Sequence, residues 1–341
     1  MSQERRRILF ICGTLNQTTQ MHQVARELSE HEHAFTPYYC DGWLDLARRA
    51  GLMEFTVAGE KLVRRCLDYL QRERLPIDSG GRRGHYDLVL TCSDLVVPRN
   101  ARRRRLVLVQ EGILDPEGWE YRLWRRFPFL PRWLAGTATT GLSLAYDTFC
   151  VASEGYRDHF IARGVPKESL VVTGIPNFDD CRRYLQNDFP HRGYVLVCSS
   201  DARETLKQDD REAFLRRSVA IAAGRPLVFK LHPNENAERA TREIRVLAPD
   251  ALVFSHGSAE EMIANCDVLV AQYSSTIFVG LALGKECHSY WDLAELRRLL
   301  PVQNGCAARQ IAAACRRVLD ESEETQVAGW PGFPAPQAEA S

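Results

Sequence analysis

The sequence predicts an α/β protein made of two doubly wound parallel-sheet domains that face each other across a cleft. Three observations carry this prediction. The chain has 341 residues, more than the roughly 100–200 of one ordinary domain. Short apolar runs rich in Val, Ile and Leu alternate with segments of helical period, as expected of parallel strands covered on both faces by crossover helices. The alternation stops at a segment containing Pro176, Asn177 and Pro190 and then begins again.

In the first half the predicted strands are 8–12, 34–39, 87–92, 105–109 and 149–153. Between the first two, Met21, Val24, Ala25 and Leu28 recur at i, i+3, i+4 and i+7, which makes 21–29 a helix with one buried stripe. The second half gives strands at 194–199, 226–231, 251–255, 267–272 and 286–290, separated by helices near 209–223, 236–248, 258–265 and 275–283. The expected domains are 1–175 and 193–325, joined by a linker at 176–192. Residues 326–341 hold Pro331, Pro334 and Pro336 without apolar periodicity and read as a frayed, dispensable tail.

Composition narrows the function. Hydrophobic residues at 45% and charged residues at 26% exclude a disordered or fibrous chain. Lys+Arg and Asp+Glu are both 44, a formal net charge of +0, so nucleic acid is not an expected partner. The 11 cysteines are an odd number with no CxxC pair or metal-ligand spacing, which argues against disulfides and zinc and for a reducing cytoplasm. The opening MSQERRRILFICG has no secretory apolar region, and no apolar stretch approaches ~20 residues. No metal and no cofactor are expected.

Doubly wound sheets bind ligands beyond the carboxyl ends of their strands, so polar residues that follow apolar runs carry the chemistry. In Pro226-Leu-Val-Phe-Lys-Leu-His-Pro, Lys230 and His232 stand two apart and should share a face, with Pro233 ending the strand. Such a pair suits phosphate capture, lysine as a point charge and histidine as donor or acid; the plainer alternative is a histidine satisfied by backbone. In Gln272-Tyr-Ser-Ser-Thr, Ser274, Ser275 and Thr276 lead into a helix that Gly284 ends. Free N–H groups and hydroxyls there form an anion site, unless a serine is only an N-cap. The first half supplies acids at strand tips, Asp94 and Glu111, as general-base candidates. Asp94 alternatively caps a helix or forms a turn. Gly112 permits a tight turn or close ligand approach. Gly13 and Thr14 end the first strand, but no GxGxxG follows, which counts against nicotinamide or flavin chemistry.

Segment 119–134 interleaves Trp, Phe and Leu with Arg122, Arg125, Arg126 and Arg132, and four more arginines stand at 102–105. That is the composition of a segment lying on anionic lipid; the alternative is a helix that packs its aromatics on the sheet and leaves its arginines solvated.

These residues resemble the GT-B superfamily, in which two Rossmann-like domains clasp a nucleotide-sugar. Gly13-Thr14 with Met21, Val24 and Arg26-Glu27-Leu28, the strand ending in Asp94, the Gln110-Glu111-Gly112 turn and Leu-Val-Val-Thr-Gly-Ile-Pro-Asn at 170–177 are similar to UDP-N-acetylglucosamine 2-epimerases. The resemblance implies ligand and catalytic roles for Asp94 and Glu111 and an interdomain turn at 170–177. The second half departs from that branch. Ser199-Ser200-Asp201-Ala202-Arg203 stands where the epimerases carry a histidine and arginines, and Ser274-Ser275-Thr276 where they carry Ser-Gly-Gly. Lys230-Leu-His-Pro and Tyr273-Ser-Ser-Thr look instead like the paired motifs of polysialyltransferases, capsular polysaccharide transferases and CDP-glycerol glycerophosphotransferases, whose histidine and serines hold donor phosphates.

The expected activity is therefore an inverting, metal-independent glycosyltransferase, or a relative moving a phospho-polyol, in surface glycan or glycolipid synthesis. Its donor would be nucleotide-activated and its acceptor a glycan or a lipid-linked molecule. Lys230, His232, Ser274, Ser275 and Thr276 would stabilise the leaving phosphate, Ser200 and Arg203 would add donor contacts, as would Gly13 and Thr14, and Glu111 or Asp94 would deprotonate the acceptor. Alternatives are a nucleotide-sugar 2-epimerase and a catalytically silent nucleotide-binding module. The expected location is cytoplasmic, with possible peripheral membrane contact through 119–134.

Overall fold

A computed structural model describes residues 5–51, 56, 58–200, 202–204 and 209–320. Asp201 and the expected tail lie outside the described residues. Apolar runs in the first half form six parallel strands: β1 (Arg7–Cys12), β2 (Glu32–Pro37), β3 (Leu88–Thr91), β4 (Arg105–Val109), β5 (Thr148–Val151) and β6 (Leu170–Val172), in the order β2-β1-β3-β4-β5-β6. The second half forms β7 (Val195–Cys198), β8 (Leu227–Lys230), β9 (Leu252–Phe254), β10 (Val268–Ala271) and β11 (Glu286–His288), ordered β11-β10-β7-β8-β9 and again all parallel. Helices cover both faces, which is why consecutive strand residues such as Ile8, Leu9, Phe10 and Ile11 are all buried. The two-domain, Rossmann-like α/β architecture read from the sequence is the one observed.

Strand order reverses between β1 and β3 in the first sheet and between β7 and β10 in the second. Ligand crevices open at such switch points, beyond the carboxyl ends of the strands. Gly13 and Thr14 follow β1, and Ser93 and Asp94 lie just past β3; Ser199 and Ser200 follow β7, and Gln272 to Thr276 follow β10.

Three placements differ from the sequence reading. The stretch read as an interdomain turn begins with strand β6, a three-residue edge strand paired with β5. The first helix starts earlier than its apolar stripe, at Leu15–Arg26, because the Thr14 hydroxyl accepts the Gln17 N–H and caps it. The last described helix, Ala307–Asp320, falls inside the span assigned to the second domain but packs on the first sheet. Its stripe of Ile311, Ala312, Cys315 and Val318 is buried with Ile8, Phe10 and Val109, since an apolar stripe of that width must find a partner surface.

The chain therefore crosses between domains twice, and the crossings are stitched together. The linker residue Asp179 accepts the N–H groups of Gly305 and Ala307, both at 2.8 Å, capping the returning helix. Cys181 donates its N–H to Gln303 Oε1 at 3.1 Å. Phe178 stacks edge-on against Phe278 of the second domain, 6.2 Å between ring centres, and its neighbours Ile175 and Cys181 are buried with it. Among the described residues no helix is long and apolar enough to cross a membrane, and all eleven cysteines are free, ten of them buried.

Ile311 is fully buried, so Ile311→Ala should destabilise the protein by about 2–5 kcal/mol, read in a urea titration. An unchanged midpoint would show that the returning helix is not part of the first domain's core.

Candidate functional site

On the first domain the site is built around Glu111, two residues beyond β4. Thr14 Oγ donates to Glu111 Oε1 at 2.8 Å, Asn16 Nδ2 to the same oxygen at 3.3 Å, and Gln17 Nε2 to Oε2 at 2.5 Å. One turn, the start of the Leu15–Arg26 helix, thus supplies three donors that fix the carboxylate from below. Gly13 makes this possible, because a Cβ there would stand 1.9 Å from Gln17 Oε1. Gly13 and Thr14 therefore act on the acid they support.

Glu111 leads directly into the contact between domains. A Cβ on Gly112 would lie 2.5 Å from the Ser275 hydroxyl, and the next residue, Ile113, donates its N–H to that hydroxyl at 3.0 Å. The acid-bearing turn of one domain and the hydroxyl turn of the other are in touch. A second contact reaches the His-Pro turn: Arg65, on the helix Glu60–Arg72, donates to Asn234 Oδ1 at 2.5 Å and to the Pro233 carbonyl at 3.1 Å. Both motifs of the second domain thus border the first.

Within the second domain those motifs flank one strand end. Cys198 of β7 pairs in register with Lys230 of β8 and Ala271 of β10, so the two turns leave strands about 10 Å apart, twice the spacing between neighbours. The Cys198 thiol, pushed up to about 12 by burial, feels the Lys230 ammonium and bonds the Thr276 hydroxyl; lysine and threonine lie on one side of the sheet. Ser199 Oγ accepts the His232 N–H at 3.1 Å, and Ser200 Oγ donates to Gln272 Oε1 at 2.7 Å. The end of β7 ties the two turns together.

The side chains sort themselves further. Asn234 N–H donates to His232 Nδ1 at 3.2 Å, which leaves the neutral ring's proton on Nε2. The backbone thus satisfies one ring nitrogen, as the plainer reading anticipated. Because β8 ends at Lys230, strand alternation does not govern His232. Lys230 is buried, its Nζ donates to the Leu231 carbonyl at 3.0 Å, and desolvation pushes its pKa down. Ser274 Oγ and Thr276 Oγ1 are 2.9 Å apart at the head of the helix Thr276–Ala282. Ser275, expected on the phosphate, faces the other domain.

Two expected site residues have structural work instead. Asp94 is wholly buried; its oxygens accept from Arg132 at 3.0 Å and from the N–H groups of Gly141 and Ser143, each at 3.1 Å. It anchors the β4–β5 connection through residues far along the chain, and caps no helix and closes no turn of its own among the bonds described. Arg203 spends its fork on Glu243, two bonds of 2.9 Å, with Asp209 at 3.6 Å. Its charge is thus spent on carboxylates of its own domain. Arg211 pairs with Glu235 at 2.9 Å in the same cluster, where burial pushes the Glu235 carboxyl up.

Sequence reasoning did not find Asn16, Gln17, Arg65 or Gln272, all neutral or surface-type residues whose roles depend on a distant partner. The polar run Asn16-Gln17 just after a strand and a cap was the available signal for two of them.

No protein-family model matches the sequence, and no curated protein matches it. The structure is similar to that of the wall teichoic acid polymerase TagF, with a TM-score of 0.55 at 9% identity, covering 96% of this chain and 91% of that one. It is similar to S. aureus MnaA in its UDP co-structure, TM-score 0.54 at 13% identity over 93% and 88% of the two chains. It is also similar to UDP-GlcNAc 2-epimerase from Neisseria meningitidis bound to UDP-GlcNAc, TM-score 0.51 at 13% identity over 91% of each. The likeness is one of fold. It shows that this chain shares its pair of Rossmann-like α/β domains with a teichoic acid polymerase and with 2-epimerases, a structure from each of the two groups whose motifs the sequence resembles.

The tight approach at Gly112 gives a direct check. Gly112→Ala should cost about 1–3 kcal/mol of stability through overpacking, and adding Ser275→Ala, which removes the obstructing hydroxyl, should recover part of it in a double-mutant cycle of urea unfolding. Strictly additive losses would mean that the two turns do not touch.

Proposed function

We propose that the protein transfers a group from a nucleotide-activated donor, as an inverting, metal-independent glycosyltransferase or a close relative that moves a phospho-polyol. The observation that carries this reading is the apposition of Gly112 and Ser275, which sets Glu111 next to the hydroxyl turn on the far side of the cleft. Donor phosphates would sit against the second domain, at the strand ends around β7. His232 would donate from Nε2 and the hydroxyls of Ser274 and Thr276 would add donors, while buried Lys230 contributes positive potential from beneath. Preorganised donors of this kind stabilise a leaving phosphate as charge builds on it. Glu111, held in place by Thr14, Asn16 and Gln17, would take the proton of the acceptor hydroxyl. The acceptor in this reading is a glycan or a lipid-linked molecule. The donor class is supported by neighbours of the same fold described with UDP, UDP-GlcNAc and, for the teichoic acid polymerase, CDPG.

Thermal-shift measurements against CMP, CDP, UDP and GDP should return one nucleotide that raises the melting point, since a ligand of the folded state stabilises it. With that donor, His232→Ala should lower turnover by about 10²-fold or more, the scale of losing one preorganised donor, at an unchanged melting point. Wild-type rates in the variant would defeat the assignment.

A second reading, favoured by the Glu111 turn and by epimerases among the neighbours, is 2-epimerisation of a nucleotide-sugar with Glu111 moving the proton at carbon two. In deuterated water with UDP-N-acetylglucosamine and no acceptor, an epimerase incorporates deuterium and the transferase does not; deuterium at carbon two would replace the first reading by the second.

A further inference from the structure

The connection between β4 and β5 carries a surface that the cleft does not use. Its helix, Trp119–Arg126, already has a complete inner face. Tyr121 is buried, Trp124 packs 6.0 Å from it between ring centres, Ala135 and Ala138 close over them, and Arg163 stacks on Tyr121 at 4.5 Å. The apolar residues on the outer face are therefore not unfinished core. Trp119 is 70% exposed, and Leu123, one turn on, is exposed beside it. Phe129 beyond the helix is 81% exposed, with Phe127 against it at 5.9 Å. Trp43 of the helix Trp43–Arg49, 64% exposed, lies 6.5 Å from Trp133 of the same β4–β5 connection. Arg122, Arg125 and Arg126 are exposed on the same helix, against one exposed acid, Glu120, and Arg126 lies over the Phe127 ring at 5.6 Å.

We propose that this surface docks the protein on an anionic lipid bilayer. Bulky aromatic tips interleaved with arginine match the interface of such a bilayer, where rings enter the headgroup boundary and guanidinium groups meet lipid phosphates. A second copy of the chain suits the surface less well than an anionic bilayer, because a two-fold contact brings a helix with three exposed arginines and one exposed acid close to its own copy, like net charge to like. The surface is fixed to the domain that bears Glu111: Arg132, within the same connection, is the partner of buried Asp94 at the end of β3. The inference stands apart from the transferase reading, since vesicle binding is measured without any chemistry.

The test is co-sedimentation of the full chain with phosphatidylcholine vesicles, with and without phosphatidylglycerol. The protein should sediment with phosphatidylglycerol vesicles at low salt and be released as salt screens the attraction. Arg122→Gln, Arg125→Gln and Arg126→Gln together should weaken binding on the order of 100-fold, about fivefold for each charge near an anionic surface. Trp119→Ser with Phe129→Ser should abolish the binding left at high lipid, with the far-ultraviolet circular dichroism of each variant unchanged. Failure to sediment with anionic vesicles at low salt would overturn the proposal. Equal binding by the arginine variant would do so too, as would a lipid-free dimer that the serine variant dissociates.

Discussion

The meeting of Gly112 with Ser275 is the constraint on which the reading of this molecule depends. Two sheets built by the same physics, strands buried on both faces and helices packed over them, create two crevices, one at each reversal of strand order. A residue with any side chain at position 112 would keep the domains apart at that point; glycine lets the hydroxyl of Ser275 reach the backbone after Glu111. The missing Cβ therefore sets how closely the turn that bears Glu111 approaches the hydroxyl turn.

Supporting bonds on either side of that contact have a common logic. A turn at the end of one strand fixes the functional group at the end of another. Thr14, Asn16 and Gln17 after β1 hold Glu111 after β4; Ser199 and Ser200 after β7 hold the turns after β8 and β10. In each sheet the bonds span the ends of several strands, and the groups that face the cleft are carried on the sheet and not on free loops. Charge is handled differently. Arg203 and Arg211 pair with Glu235 and Glu243 beside the site, so the charges of that cluster are spent on one another.

The strands of both sheets were legible because each is a run of buried apolar residues bounded by polar ones, and the topology followed from their alternation with helices. The short strand β6 was hidden by the Gly-Ile-Pro-Asn that follows it, which reads as a turn. The returning helix Ala307–Asp320 is amphipathic, but nothing in its own residues says which domain buries its stripe. Residue type singled out Glu111, His232 and the hydroxyl turn as candidates, since strand-end polar residues are few. It did not foresee that Asp94 would anchor a loop or that Arg203 would be spent on Glu243, because what a strand-end charge does depends on its partner. Their partners, Arg132 and Glu243, lie 38 and 40 positions away along the chain.

The double crossing has a mechanical side. A body tethered to another by one flexible segment can swing and twist about any direction, whereas one fastened by two neighbouring segments keeps a single easy rotation, about the line through both fastenings. Asp179 and Gln303 bind the outgoing and returning chains to each other, so these two fastenings behave as the knuckles of one pivot. Any spreading of the two sheets would turn about that pivot and would part Ser275 from Gly112.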